Sequence, residues 1–307
     1  MFDRLGVSLL VGILAGLAAG ALWGLVFVAP ALAPGLAPVD LAAGRFASYG
    51  LTALLVMLFA RGQRRWPTWR QLGAALVLSV LGFSGYYLLL VLSIRDAGVE
   101  VPTLIIGTIP IWVMLLGKPQ HLLWRSLLPG LCLTIAGVLL MMGAETGGAA
   151  EGVVQGWAYW RGIVFALLAM GCWTAFAVMN SAWLQHHHDV NVTDWTNWLG
   201  VASGLGAVAL WWVLGSEPKV LLAQVDIAQA AMVCIATGVG SAWLATVLWS
   251  IASRRLSASL CGQLIVSETL FALLYAFVGY GVWPQWLQLL ASAVFVLGIV
   301  ASIRAHR

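Results

Sequence analysis

One acidic side chain lies near the middle of a long apolar stretch, and it is the first candidate for chemistry in this sequence. The stretch runs from Leu256 to Gly279 with Glu268 at its centre. Crossing a bilayer takes about 20 apolar residues in a helix, so the stretch is long enough to cross one. A carboxyl group at that depth disfavours insertion by about a few kcal/mol. Glu268 is therefore either a protonated acid hydrogen-bonded between helices or a group that faces a substrate cavity.

Other polar and aromatic side chains recur at helical spacing inside apolar segments. Gln263 and Ser267 share a helix face in the same stretch, with Glu268 one residue further round. A second stripe, beside which lies Tyr87, consists of Ser79, Tyr86 and Ser93. A third consists of Glu100, Thr103, Gly107, Pro110 and Met114. With deep aromatic side chains, these stripes predict a cavity whose substrate-binding residues are Trp23, Ser79, Tyr86, Tyr87, Thr103, Trp173, Trp243, Gln263, Ser267 and Glu268.

A hinge is predicted in the third stripe. Pro110 lacks a backbone N–H and bends a helix that contains it. Gly107, which precedes it by one helical turn, adds backbone freedom. We therefore expect Gly107 and Pro110 to form a flexible point at mid-depth.

Arg45 is a basic residue inside an apolar segment, close to the segment's end. Its long side chain can reach outward to the membrane surface while its stem stays in apolar surroundings. It can equally meet the carboxylate of a substrate. The sequence leaves both interpretations open.

Several kinds of chemistry have no support in the sequence. His186, His187 and His188 are consecutive and point in different directions, so we predict no metal site. The four cysteines lack metal-ligand spacing, and no phosphate-binding loop, zinc-protease motif or serine-nucleophile elbow occurs. No filter loop or charged ring of a channel is evident. The sequence therefore predicts a secondary transporter, neither an enzyme nor an ATP-driven pump, without a cofactor.

The composition indicates a polytopic membrane protein. Hydrophobic residues make up 62% of the chain and charged residues only 8%, against about 25% charged in a soluble domain. Hydropathy predicts ten spans, which we number one to ten, at residues 7–29, 38–60, 71–94, 98–116, 126–143, 161–181, 196–214, 228–250, 257–279 and 286–303.

Basic residues are distributed unequally over the predicted loops. With the N-terminus inside, the outer side holds three: Arg95, Arg161 and Lys219. The inner side holds eleven, namely Arg4, Arg61, Arg64, Arg65, Arg70, Lys118, Arg125, Arg254, Arg255, Arg304 and Arg307. By the positive-inside rule both termini are cytoplasmic. This asymmetry explains the net charge of +4 better than a nucleic-acid partner does. Tryptophans near predicted span ends, including Trp195, Trp198 and Trp249, are expected at the membrane interface.

Weak internal repeats divide the chain into two halves. Trp23 in span one corresponds to Trp173 in span six. Three further pairs share one sequence separation, which we call the repeat offset: Arg95 and Arg254, Thr108 and Ser267, and Pro110 and Thr269. Two halves of five spans insert with opposite topology because five is odd. We therefore predict an all-α fold of ten transmembrane helices, with inverted five-helix repeats at 1–150 and 151–307 around a central cavity.

Short motifs in this order resemble a known family. They are Trp23-Gly24, Pro38 with Arg45, the run Arg254–Ala258, and the Ser-Glu-Thr that contains Glu268. They are similar to the EamA-type ten-helix branch of the drug/metabolite transporter superfamily. The tryptophan content and the stretch LGFSGYYLLL in span three resemble the YddG-like aromatic amino-acid exporters of that branch. Thr269 stands where the family has proline, which leaves open whether span nine bends as span four does.

The resemblance implies a function and a location. The chain is expected to be a bacterial inner-membrane exporter of aromatic and other neutral amino acids and related metabolites, working by alternating access. Its expected partners are these small molecules and membrane lipids, and we expect it to act as a monomer. The alternative is export of lipophilic cations or drugs, in which Glu268 supplies the counter-charge.

Overall fold

The computed structural model describes residues 2–59, 66–98, 100–146, 156–224, 226–281 and 283–306. Throughout these ranges the regular structure is helical, which confirms the predicted all-α class. The predicted boundary between residues 150 and 151 lies outside the described residues. So do Arg61, Arg64, Arg65 and Arg307 of the charge count, and the side chains of Arg4 and Glu100.

The helices follow one another with short connections. They are α1 (Phe2–Gly24), α2 (Ala29–Leu32), α3 (Pro38–Phe59), α4 (Trp69–Ser79), α5 (Gly85–Ala97), α6 (Glu100–Ile106), α7 (Ile109–Leu116), α8 (Trp124–Thr146), α9 (Trp157–His186), α10 (Val192–Leu214), α11 (Pro218–Gln224), α12 (Ile227–Thr237), α13 (Ala245–Arg255), α14 (Ala258–Ile265), α15 (Ser267–Tyr280) and α16 (Trp286–Ala305). Within the described ranges, nine helical segments are long and apolar enough to cross a membrane. A shorter apolar segment, Val101–Leu116, lies where span four is predicted.

Polar residues between the apolar segments set several helix starts. The Thr68 hydroxyl accepts a hydrogen bond from the Gln71 backbone N–H, and the Gln71 side chain accepts one from the Thr68 N–H. The Ser257 hydroxyl accepts from the Leu260 N–H at the start of α14. These side chains satisfy backbone N–H groups that have no partner in the first helical turn.

Two of the long segments contain a wide π-helical turn near the middle. One is Val80–Ser84, between α4 and α5, and the other is Gly238–Leu244, between α12 and α13. When Val80–Ser84 is shifted by the repeat offset, it falls inside the second turn. The two turns are therefore separated by about the same number of residues as the matched pairs of the sequence. Such turns are rare and are frequently found at functional sites.

Two other segments are interrupted at mid-length. The helix of span four breaks between α6 and α7 at Gly107 and Thr108, and that of span nine breaks between α14 and α15 at Val266. The Thr108 hydroxyl donates to the Ile105 carbonyl at 2.6 Å, and the Ser267 hydroxyl donates to the Leu264 carbonyl at 2.7 Å. The two donors are separated by the repeat offset, and so are the two acceptors. Span nine is thus interrupted although it has no proline.

The proline plays a different part from the one predicted. Pro110 lies in the first turn of α7, where a missing N–H costs little because that N–H has no helical partner. The backbone turns before it, at Gly107 and Thr108. The predicted stripe does not continue past this turn, because Met114 is buried against Leu127 and Leu131 and not in a polar cavity.

Glycines let α1 approach its neighbours closely. A Cβ atom added at Gly12 would lie 2.8 Å from the Leu256 side chain, and one at Gly16 would lie 2.7 Å from Leu264. One at Gly20 would collide with the Ser267 hydroxyl. Helices in a bilayer associate through such close packing of small residues. These glycines therefore let span one pack closely against span nine.

Candidate functional site

Three tryptophan rings from different spans meet inside the bundle. Trp23 on α1 lies 6.4 Å from Trp173 on α9 between ring centroids, and 5.2 Å from Trp249 on α13. Trp173 and Trp249 are 6.3 Å apart. We call these three residues the tryptophan triad. The two tryptophans that correspond in the sequence repeats are therefore in direct contact.

The interfacial position expected for Trp249 is wrong. Its side chain is 1% exposed because α1 and α9 cover α13. Trp195 and Trp198 are buried as well, where α10 packs against other helices. The Trp195 ring stacks on Trp183 at 3.6 Å and donates a hydrogen bond to Asn180. Composition marked these residues as aromatic anchors, but packing places them in the core.

An aromatic wall extends from the triad towards the other half of the bundle. Trp173 contacts Phe176, which lies 5.4 Å from Phe83. Phe83 lies 5.8 Å from Phe46, and Phe46 lies 6.0 Å from Tyr87. The rings meet mostly edge to face, the arrangement that aromatic pairs prefer. The wall connects two predicted substrate-binding residues, Trp173 and Tyr87, through three phenylalanines.

Arg45 points into the protein at the end of this wall. Its guanidinium carbon lies 4.5 Å from the centroid of the Phe46 ring. The side chain is within electrostatic range of Tyr86, Tyr87 and Glu268. Its Nε is buried and has no hydrogen-bond partner among the described residues. Of the two interpretations open at the sequence level, the arginine that reaches outward to the membrane surface is not the one this structure has, because the guanidinium group is directed at groups inside the protein.

Glu268 lies at the interruption of span nine, in the first turn of α15. It is half-buried and interacts electrostatically with Arg45. In the described part of the chain neither residue forms an ion pair within 4.0 Å. The positive end of the α15 dipole lies at the same point and favours negative charge. An acidic and a basic side chain thus interact electrostatically inside the bundle without forming an ion pair.

Among the remaining predicted residues, Trp243, Thr103 and Gly107 are not fully buried. Trp243 is half-buried, donates to the Asn197 side-chain oxygen at 2.9 Å, and packs on the hydrophobic cluster that Tyr87 and Trp173 also contact. Thr103 and Gly107 are exposed on one side of span four. Both remain compatible with a cavity.

Three predicted polar residues are packed between helices instead. Gln263 is fully buried, and its side-chain oxygen accepts from Thr134 at 2.8 Å and from Ser302 at 3.1 Å. Ser79 is buried and bonded to Ser203 at 3.0 Å. Ser267 is buried against α1. These side chains join helices and present no surface to a solute.

Several residues of the wall were missed at the sequence level. Helical spacing contains a signal for two of them, because Phe176 lies one helical turn after Trp173 and Phe83 lies one turn before Tyr87. Trp249 has no such signal, since its place in the triad depends on how three spans pack. In the described ranges no group of three or more His, Cys, Asp or Glu residues could hold a metal ion.

Comparisons with known proteins agree with this architecture. The EamA-like transporter family matches residues 10–143. The chain is 31% identical over 277 residues to the inner membrane protein YtfF of Escherichia coli strain K12, an alignment that covers 85% of each chain. A solved crystal structure superposes with a TM-score of 0.76 over 96% of this chain and 97% of its own, at 19% identity, and so shares the fold. The chain therefore belongs to the EamA-like transporter family and is a multi-pass inner-membrane transporter.

Proposed function

We propose that this protein is a secondary transporter that exports aromatic and other neutral amino acids, and related metabolites, by alternating access. One observation carries the proposal: Arg45 and Glu268 lie within electrostatic range of each other, unpaired, at the edge of an aromatic wall. An amino acid at neutral pH carries the two complementary charges on adjacent atoms.

The two charged residues suit the two ends of a zwitterion. A guanidinium group has a planar array of donors that matches a carboxylate, so Arg45 would hold the substrate carboxylate. Glu268 would accept hydrogen bonds from the ammonium group. The half-buried rings of Tyr87 and Trp173 would then contact the side chain of the substrate, with the buried phenylalanines Phe46, Phe83 and Phe176 packed behind them, because aromatic rings offer both apolar and stacking contact.

The fold supports the proposed alternating-access mechanism. We propose ten spans in two inverted halves, at 1–150 and 151–307, and the match of the family to residues 10–143 falls within the first of them. Corresponding contacts recur with a shift of five spans: α5 packs on α9 as α13 packs on α1, and α6 packs on α9 as α14 packs on α1. The paired π turns and paired interruptions follow the same correspondence. Inverted repeats that rock around a central site are the usual plan of secondary transporters.

The aromatic triad supports a preference like that of the YddG-like exporters, and we propose that one chain suffices, because both charged residues of the site come from it. Export of lipophilic cations is the alternative. Glu268 would serve as the counter-charge for a cation, but Arg45 within range would repel it. In a medium of low dielectric such repulsion is not screened as it is in water. The charge distribution therefore favours a zwitterion.

Counterflow into proteoliposomes tests the proposal. The liposomes contain unlabelled phenylalanine, and uptake of labelled phenylalanine, alanine, phenylalanine methyl ester, N-acetylphenylalanine and a cationic dye is measured. We expect exchange of both zwitterions. The ester and the acetyl compound should exchange at least about tenfold more slowly, because each loses one charged contact of about 1.5–3 kcal/mol.

Liposomes that contain the double variant Arg125→Gln/Glu217→Gln serve as the matched control, since both residues are exposed and distant in sequence from the site. Exchange of the ester and the dye without exchange of either zwitterion would overturn the proposal and support cation export. Equal exchange of all five compounds would show that neither charged residue selects the substrate.

A further inference from the structure

A cavity lies at one end of the bundle, and none of the aromatic residues described above lines it. It has a volume of about 590 Å³ and lies where α1 and α10 begin and α13 ends. The polar residues that line the cavity are Ser8, His188, Asn191, Thr193, Arg254 and Arg255. No residue of the triad or of the aromatic wall is among its lining, so the transport site does not account for it.

The charge of the cavity is positive. Two of its lining residues are arginines, and none is acidic. Arg254 donates from Nη2 to the Val190 carbonyl at 2.7 Å, which holds its side chain in place, and its Nε is buried without a hydrogen-bond partner among the described residues. Asp189 is within electrostatic range of Arg254 but does not line the cavity. The guanidinium groups therefore retain donors for an anion.

The N-terminus of α10 adds to the positive charge at the cavity. The helix is 23 residues long, and its first residues, Val192 and Thr193, line the cavity. The Asn191 side chain accepts a hydrogen bond from the Thr193 N–H at 2.8 Å. The helix dipole gives its N-terminus a partial positive charge. Its first turn also contains Asp194, which is not part of the lining. Arginine side chains and a helix start converge on one space.

We propose that this cavity binds a phosphate group. Arginines recognise phosphate through paired hydrogen bonds, and a helix N-terminus favours the same anion. Two sources share this chemistry: the headgroup of an anionic phospholipid and a free phosphate compound. The surroundings favour the lipid. The cavity lies at the end of three spans, and Val11, one turn along α1 from Ser8, is 39% exposed on an apolar face where an acyl chain could lie. Basic pockets between spans on the cytoplasmic side suit lipid headgroups.

Native mass spectrometry of the full chain, delipidated in detergent, tests the lipid source. Phosphatidylglycerol and phosphatidylcholine are titrated separately. We expect phosphatidylglycerol to bind the parent protein more tightly, and Arg255→Gln to weaken it about fivefold, since a basic residue near the surface contributes roughly that factor. Arg254→Gln/Arg255→Gln should weaken it further. Arg125→Gln/Arg304→Gln, two exposed arginines at the ends of other spans, is the matched control and should not weaken it.

Inorganic phosphate tests the other source, through the melting temperature of the delipidated protein. Stabilisation by phosphate that is lost in Arg255→Gln, without preference for phosphatidylglycerol, would assign the cavity to free phosphate compounds and reject the lipid. Arg255 is exposed, so this single variant is expected to fold even if the double variant does not. If Arg255→Gln binds phosphatidylglycerol and phosphate as the control does, the cavity is not a phosphate site and the proposal is wrong.

Discussion

Arg45 and Glu268 come from predicted spans two and nine, far apart in the sequence, and their side chains lie within electrostatic range of each other. Unpaired charges in a low-dielectric interior reduce stability, because the protein does not replace the water that each group loses. A fold tolerates such an arrangement where a substrate completes it. At the scale of single residues, this pair is the observation on which we base the proposed substrate.

Replacing either charged side chain with a neutral one should weaken the binding of substrates that carry the opposite charge. We expect Arg45→Gln to raise the KM for phenylalanine by about tenfold or more, because a hydrogen bond to a charged group contributes about 1.5–3 kcal/mol. Glu268→Gln should do the same through the ammonium group. Counterflow kinetics measure both, with Arg125→Gln and Glu217→Gln as exposed controls of the same chemistry. An unchanged KM in both site variants would exclude the pair from substrate binding.

Gln263 provides a contrasting case. Because its oxygen accepts from Thr134 and Ser302 and its side chain is fully buried, we expect it to act on stability alone. Gln263→Leu leaves the Ser302 hydroxyl without its partner, and we expect a loss of about 1–3 kcal/mol in the free energy of unfolding. Thermal unfolding in detergent measures the loss, and counterflow should show an unchanged KM. A raised KM with unchanged stability would show that Gln263 contributes to substrate binding.

The aromatic wall should influence selectivity more than turnover. Trp173→Ala removes a ring that contacts Trp23, Trp249 and Phe176, and we expect phenylalanine exchange to fall about tenfold relative to alanine exchange. Tyr86→Ala, Tyr87→Ala and Trp243→Ala should also affect the two amino acids unequally. Trp160→Ala, an exposed tryptophan on the same helix as Trp173, is the control. If all four site variants insert correctly and keep the parent selectivity, these rings serve packing alone.

At the scale of elements, we propose that the interruptions of spans four and nine are the parts that move. At each interruption the regular series of helical backbone hydrogen bonds stops, and a side-chain hydroxyl group donates to a backbone carbonyl group instead. The donor is Thr108 in span four and Ser267 in span nine. Such a turn can open or close without breaking a full ladder. Span nine also presents Glu268 directly after its interruption, so movement there would act on the proposed site.

Restoring the helix in span four should impede this movement. Pro110→Ala returns a backbone N–H that can donate to the Ile106 carbonyl, so the helix can continue through Gly107 and Thr108. Spin labels at Val101 and Gly279, near the outer ends of the two spans, should change their separation on adding substrate in the parent and change it less in the variant. Pro129→Ala, a proline inside α8, is the control. If the distances and the transport rate are both unchanged in Pro110→Ala, the hinge hypothesis is wrong.

At the scale of the whole molecule, several predicted spans pack on the span that lies five places later in the chain. Span two packs on span seven, span five on span ten and span four on span nine, through α3 with α10, α8 with α16 and α7 with α14. Each of these contacts joins a span to its counterpart five spans later. The proposed inverted repeat would account for this pattern, because two such halves are related by a pseudo-symmetry axis in the membrane plane.

The proposed arrangement requires both termini in the cytoplasm. A green fluorescent protein fused after Arg307 should be fluorescent, and an alkaline phosphatase fused at the same point should be inactive, because each folds on only one side of the inner membrane. Fusions truncated after Gly98, between spans three and four, should show the opposite pattern. An active phosphatase after Arg307 would contradict the orientation that the count of basic residues predicts.

Properties that add up along the chain were predictable from the sequence. Hydropathy and composition identified the membrane class and nearly all the helical segments, because each segment must be apolar over the bilayer thickness whatever its neighbours are. The pair Thr108 and Ser267, which the sequence comparison matched, also makes the same kind of hydrogen bond at the two interruptions. Glu268 stood out because a carboxyl group is costly in an apolar span wherever that span lies.

The grouping of side chains into a site was decided by tertiary structure. Gln263 and Glu268 lie close together in the same span, yet one is fully buried between helices and the other faces Arg45. Helical spacing separates the two faces but does not say which neighbour covers each face. Trp249 likewise joined the triad only because α1 and α9 pack over α13. Contacts between residues far apart in sequence depend on how helices rotate and pack, and hydropathy alone does not contain that information.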